Sequence, residues 1–253
     1  MLEQLAYPVL AISNRKGGTG KTTTAVNLAV EFAARQFRVL LVDTDSQGHC
    51  ALGLGIRWRS GMPSVHDLFK DQPPEWSECV LKTQVPGLDL IPANTRFEGL
   101  WGSEDTGILK RSLEEARSYY DLILLDTPPS VDLVLINALT AASGVLIPAV
   151  PHHLGAEGVR QLTQLFYRVA SRDNPGLKLL GIVPVMADPQ VPGHQAVVRE
   201  LQQAFGPGRM LRGIRRDQRL AEAFAAGQAI RDYAPRSRGA MDYFLLTEQL
   251  LKI

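Results

Sequence analysis

The sequence predicts an α/β fold: a single P-loop-type domain with a mostly parallel central sheet flanked by helices on both faces. Three observations predict it. Strand-like and helix-like segments alternate along the chain, the pattern of repeated βαβ units. The strand-like segments are continuous apolar runs, such as Val39–Val42 and Leu122–Leu125, which suit strands covered on both sides. At 253 residues with 45% apolar content, one full core is comfortable, so residues 1–253 read as one domain.

The elements follow in order. Pro8–Ser13 reads as a short buried strand, and Thr22–Arg35 carries apolar residues at helical spacing. Further strands are expected at Arg38–Asp43, Leu88–Pro92, Asp121–Asp126, Gly144–Val150 and Lys178–Met186. Further helices are expected at Ile108–Tyr119, Val131–Ala142, Ala156–Ser171, His194–Phe205 and Ser237–Leu251. Asp71–Glu75, with two adjacent prolines, reads as a surface loop. The first strand begins near residue 8, which leaves no room for a DNA-binding domain ahead of it.

Composition narrows the function classes. A net charge of +1 excludes a polyanionic or polycationic character for the chain as a whole. Cys50 and Cys79 form neither a C-x-x-C pair nor a disulfide framework, as in reduced cytosolic proteins. With no secretory leader and no apolar run approaching 18 residues, the expected location is cytoplasmic.

Between the first strand and the first helix lies Asn14–Thr23, which carries two lysines where a phosphate loop needs one. Gly20-Lys21-Thr22 supplies the end of the pattern G-x-x-x-x-G-K-[ST], but Arg15 stands where the first glycine belongs. Gly17, Gly18 and Gly20 are expected to turn the backbone with φ > 0 and bring N–H groups to phosphate oxygens, helped by the positive end of the helix. Lys21 suits the β- and γ-phosphates of ATP, and the Thr22 hydroxyl suits Mg²⁺. Thr19 and Thr23 complete the set expected to line the nucleotide. Lys16, five residues before Lys21, points out of the loop's mouth, where a second copy of the chain can face it. Leu122–Asp126 is an apolar strand ending in aspartate, the arrangement that holds Mg²⁺ at the C-terminal edge of such sheets. Asp43–Gly48, at another strand end, is by itself an ordinary polar turn.

These residues resemble the deviant Walker A ATPases, the group of ParA, MinD and the nitrogenase iron protein. In that group the early lysine, matching Lys16, crosses a face-to-face ATP dimer to the partner's nucleotide, so the resemblance implies an ATP-dependent homodimer. Asp43, Asp45 and Gln47 match its first switch. The match implies that Asp45 orients or polarises the attacking water and that Asp43 supports the Mg²⁺ shell. Thr127-Pro128-Pro129 matches the second switch. Asn137–Ala142, Leu146–Pro148, Ala156–Gly158, Arg219–Ala223 and Asp232–Gly239 look like ParA landmarks in the right order. The resemblance is to short ParA forms without an N-terminal helix-turn-helix. It implies a weak ATPase that binds nonspecific DNA as the ATP dimer, associates with the nucleoid, and positions a plasmid, chromosome or protein cargo. A ParB-like or cargo-adaptor protein would stimulate its hydrolysis.

Arg209, Arg212, Arg215, Arg216 and Arg219 cluster against the single acid Asp217. In a chain of near-zero net charge this is an electrostatic footprint for phosphate contact. Arg216 and Arg219 fall where the ParA pattern places its DNA-binding residues, with Arg212 and Arg215 beside them. The alternative is a solvated or salt-bridged face, since Glu200, Glu222 and Asp232 are near in sequence. Arg236 and Arg238 are expected to pack structurally. Where the family has proline and often asparagine, this chain has Arg215 and Asp217, in a region bordering the adenine. Asp217 is therefore expected beside the nucleotide. Met186–Pro192 lacks the arginine the family carries there. His152-His153 reads as surface rather than metal site. A MinD-like membrane regulator is the alternative, but Ala240–Ile253 has one lysine and reads as a helix packed on the core, so no membrane partner is expected. Cys50 and Cys79 match neither cluster position of the iron protein.

Overall fold

Leu122 and Leu124 face one side of the sheet and Ile123 and Leu125 the other, so a continuous apolar run feeds two cores at once. The same split holds for Leu10 and Ile12 against Val9 and Ala11, and for Val39 and Leu41 against Leu40 and Val42. The structure, a computed structural model, describes residues 5–59, 61–99, 104–188 and 190–253. In chain order the elements are β1 (Val9–Ile12), α1 (Lys21–Ala33), β2 (Val39–Asp43), α2 (His49–Gly53), β3 (Leu81–Lys82), β4 (Leu88–Ile91), α3 (Ile108–Ser112), α4 (Ala116–Tyr119) and β5 (Leu122–Asp126). They continue with α5 (Leu133–Ala141), β6 (Gly144–Ala149), α6 (His153–Arg172), β7 (Lys178–Ala187), α7 (Pro192–Phe205), β8 (Ile214–Arg215), α8 (Gln218–Ala225), α9 (Ile230–Tyr233) and α10 (Arg238–Leu250).

The eight strands form one sheet in the order β3-β4-β2-β5-β1-β6-β7-β8. All neighbours are parallel except β3, which pairs antiparallel with β4 at the edge. One core places Leu28 and Phe32 of α1 and Tyr243 and Leu246 of α10 against the sheet. The other places Leu135 and Leu139 of α5 and Leu162 and Phe166 of α6 on the opposite face. The expected α/β architecture is what forms. Register then positions the chemistry: Asp43 and Asp126, last residues of adjacent parallel strands, are direct partners, and Ile12 of β1 pairs with Asp126 on its other side. Three chain segments thus leave the sheet together at its C-terminal edge.

Some boundaries differ from expectation. Ile108–Tyr119 is two short helices, because the Glu114 N–H turns to Arg111 at i−3; two glutamates at a helix C-terminus oppose the macrodipole there. The start of α6 at His153 follows from the His152 side chain, whose Nδ1 accepts from the Gly155 N–H at 2.9 Å. That is a capping role, and it agrees with reading the histidine pair as something other than a metal site. Pro192 opens α7 at N1, two residues before the expected start. The Asp71–Glu75 segment is a loop, as expected. Among the described residues, no helix is long and apolar enough to cross a membrane.

Candidate active site

The loop after β1 is held from below by Asn14, a fully buried side chain. Its amide donates to the Pro148 carbonyl at 2.7 Å, and its Oδ1 accepts the Lys16 N–H at 3.0 Å. Gly158 on α6 must be glycine: an added Cβ would sit 2.6 Å from Asn14 Oδ1 and 2.8 Å from Lys16 Cγ. The stem of Lys16 therefore lies over Gly158, half-buried, while its ammonium has no hydrogen-bond or ion-pair partner among the described residues. Gly18 and Gly20 adopt φ +71°, as the turn demands, and Gly20 caps α1. Gly17 does not share the left-handed conformation expected of it. It and Gly18 instead leave open space, with no atom beyond their chain neighbours within 4 Å of an added Cβ. Thr19 spends its hydroxyl inside the loop, on the Lys16 carbonyl at 3.2 Å.

Lys21 is 7% exposed, and its ammonium touches only that same carbonyl, at 3.4 Å. Burial lowers its pKa, while Asp126 and Asp45 push it back up. A buried cation with one weak acceptor beside an empty glycine cradle is poised for an anionic ligand.

Opposite Lys21, Asp43 and Asp126 are both fully buried. Asp43 Oδ2 accepts the Cys50 N–H at 2.9 Å, and its Oδ1 the Asp45 N–H at 3.2 Å. Asp126 Oδ2 receives the Cys50 thiol at 3.4 Å, whereas its Oδ1 is buried without a hydrogen-bond partner. Burial raises both carboxyl pKa values; Asp126 adds to the rise at Asp43, while Thr22, Lys21 and Cys50 hold Asp126 back. An orphaned carboxylate oxygen, a second carboxylate in register and the nearby Thr22 hydroxyl make an oxygen-rich set that fits magnesium. Cys50, whose thiol joins this set, was missed by the sequence reading.

The two switch loops are tied to the strand ends. Thr44 donates its N–H and its hydroxyl to the Asp126 carbonyl, at 2.9 and 2.7 Å. Thr127 donates its hydroxyl to the Ile12 carbonyl at 3.0 Å. Asp45 is half-buried at the rim, its Oδ1 accepting the Gln47 N–H at 3.1 Å. Thr22 and Thr23 lie at the start of α1, both half-buried.

The arginine cluster divides. Arg212, Arg216 and Arg219 are exposed and make no side-chain hydrogen bond or ion pair among the described residues. Glu200, one of the three acids near them in sequence, pairs with Arg160. Arg215 is a correction: its guanidinium is forked onto Asp242, at 3.0 Å from Nε and 2.7 Å from Nη2, which spends it within the fold. Asp217 is a second: one carboxylate oxygen caps α8 through the Arg219 N–H at 3.1 Å, and the other accepts the Gly239 N–H at 2.9 Å. Its side chain clamps α8 to α10, so both carboxylate oxygens are already engaged within the fold. Arg236 and Arg238 are exposed instead of packed. Asp242→Asn should lower stability by about 1–2 kcal/mol, since Arg215, 40% exposed, can recover water for the lost charge. The urea midpoint at constant m-value measures it.

The comparisons agree with this geometry. The AAA domain family matches residues 7–179. The chromosome-partitioning ATPase Soj of Thermus thermophilus is 39% identical, over 96% of this chain and 94% of its own. The chromosome partitioning protein ParA of Caulobacter vibrioides is 34% identical, over 96% and 93%. Among solved structures, a protein described as cobyrinic acid a,c-diamide synthase from Mycobacterium smegmatis, with bound ADP and magnesium, superposes at TM-score 0.81 with 31% identity, over 96% and 94%. With a phosphate cradle, two registered aspartates and two tethered switch loops at one sheet edge, this chain belongs to the ParA/MinD-type ATPases, and its sequence relatives are the Soj and ParA partition proteins.

Proposed function

We propose that the chain is an ATP-driven dimerisation switch that binds nonspecific DNA in its dimeric state and positions a cargo. A ParB-like or adaptor partner discharges it by stimulating hydrolysis. The observation that carries the reading is the unpartnered Lys16 ammonium. Lys21 suits the chain's own phosphates, which leaves Lys16 free for another, and the Lys16 backbone and stem are fixed by Asn14 and Gly158. On ATP binding, Lys21 exchanges the Lys16 carbonyl for phosphate oxygens, and the Gly17–Thr22 amides surround the anion. Thr22, Asp126 and Asp43 would hold magnesium, which would supply charge neutralisation at the phosphates. Asp45 orients water, and Lys16 reaches the nucleotide of the partner copy. Thr44 and Thr127 couple both switches to strand ends, so a change at the phosphates reaches the dimer face.

The exposed, unpaired Arg212, Arg216 and Arg219 support the DNA reading. A protein with Arg216→Glu and Arg219→Glu should bind duplex DNA at least about tenfold more weakly in ATP. Its salt slope should flatten by about 0.9 for each phosphate that the protein no longer neutralises. Fluorescence anisotropy across a salt series tests this, and unchanged affinity at low salt would place the DNA face elsewhere. The membrane alternative is disfavoured because α10 packs Tyr243, Leu246 and Leu250 on the core and leaves only Met241 and Phe244 as exposed large hydrophobics among its described residues. The synthase name borne by the Mycobacterium smegmatis protein gives a different test. Turnover raised by cobyrinic acid and an amide donor, but not by DNA with a partner, would favour a ligase.

A further inference from the structure

We propose that Asp43, Cys50 and Asp126 form a thiophilic cation site that takes Zn²⁺, or another soft divalent ion, in competition with magnesium. The reading rests on where the cation pocket lies and needs neither dimerisation nor DNA binding.

Each of the three residues is fully buried, and one ligand atom from each lies within 4.8 Å of the other two. It is the one such group of His, Cys, Asp and Glu among the described residues. The backbone holds it in place. Asp43 and Asp126 are locked in register on β2 and β5, and Cys50 is anchored by its own N–H on Asp43 Oδ2 at 2.9 Å. The thiol already points at a carboxylate, Asp126 Oδ2, at 3.4 Å. Asp126 Oδ1, the oxygen that also fits magnesium, is buried with no hydrogen-bond partner among the described residues, so the two ions compete for it.

Ligand chemistry sets the preference. Oxygen ligands alone suit magnesium, whereas a thiolate selects zinc and its neighbours. Tetrahedral zinc, with S at about 2.3 Å and O at about 2.0–2.2 Å, brings its ligand atoms roughly 3.3–3.8 Å apart. The observed trio reaches that spacing by side-chain adjustments of about 1 Å. Three protein ligands leave a fourth position for water or a phosphate oxygen. Burial and the two neighbouring carboxylates push the Cys50 thiol pKa up, so an ion that binds must displace the thiol proton. On binding, the thiol proton leaves to solvent and the Cys50–Asp126 hydrogen bond is replaced by two bonds to the ion.

Cobalt(II) is the probe. Titrated into the nucleotide-free full chain, it should raise a thiolate-to-cobalt charge-transfer band that saturates at one equivalent and is bleached by Zn²⁺. Cys50→Ser should lose the band and bind Zn²⁺ at least about tenfold more weakly, while Cys79→Ser keeps both. No band in the unaltered chain, or a band that survives Cys50→Ser, overturns the proposal. Should Cys50→Ser fail to fold, X-ray absorption of the zinc-loaded unaltered chain decides. One sulfur neighbour at about 2.3 Å supports the site, and a shell of oxygen and nitrogen alone overturns it. Loss of DNA binding or of ATP-driven pairing would leave the cobalt band standing, so the two readings fail separately.

Discussion

Lys16→Ala protein should bind ATP and stay a monomer. The change removes only the half-buried stem that lies over Gly158 and the ammonium beyond it. The Lys16 backbone N–H still reaches Asn14, its carbonyl still accepts Thr19 and Lys21, and the ammonium it deletes has no partner among the described residues. Lys21 and the glycine cradle are untouched, so nucleotide affinity falls little. Dimerisation is another matter. In a two-fold pair each lysine removed is removed twice. A hydrogen bond from a charged donor contributes about 1.5–3 kcal/mol, so two of them amount to about 3–6 kcal/mol and weaken pairing by about 10²–10⁴-fold. Light scattering with a non-hydrolysable ATP analogue should report a monomer at concentrations where the unaltered chain is dimeric. Lys16→Gln, which keeps the stem over Gly158, should behave the same way. A normal dimer from either variant removes the trans role of Lys16.

The parts of the site that were legible in the sequence are those whose partners are near in the chain. The phosphate loop is one: Gly18, Gly20 and Lys21 act through local turns and a helix start, so a pattern of ten residues contains the physics. The strands were legible for a similar reason, since burial on both faces leaves a continuous apolar run. What escaped depends on atoms far away. Asn14 is defined by a carbonyl 134 residues later, and Thr44 by one 82 residues later. Cys50 looks like an inert buried cysteine until β2 and β5 bring Asp43 and Asp126 together beside it. Arg215 and Asp217 were misread for the same cause. Composition showed a basic cluster, but Asp242 and Gly239, their partners, lie on another helix. The two-residue strands β3 and β8 carry no periodicity to read, and they form because the neighbouring edges β4 and β7 offer unpaired backbone groups.

Asp45→Ala should arrest the cycle after ATP binding, with turnover reduced about 10²–10⁴-fold, the usual loss when a side chain that positions or polarises the attacking group is removed. Nucleotide affinity should hold or tighten, because a carboxylate that helps to keep Lys21 protonated also repels phosphate charge. The protein should therefore accumulate as an ATP-bound dimer that stays on DNA, detectable by slow dissociation after dilution. Asp45 also has a structural bond, from the Gln47 N–H at 3.1 Å, and its loss alone could disturb the first switch. Asp45→Asn separates the two effects, since an amide oxygen keeps the bond to Gln47 and discards the negative charge. If asparagine is as slow as alanine, the carboxylate acts on the water. If asparagine restores turnover, Asp45 only shapes the loop, and the group that orients the water must be sought on the second switch, where Thr127 is anchored to the Ile12 carbonyl.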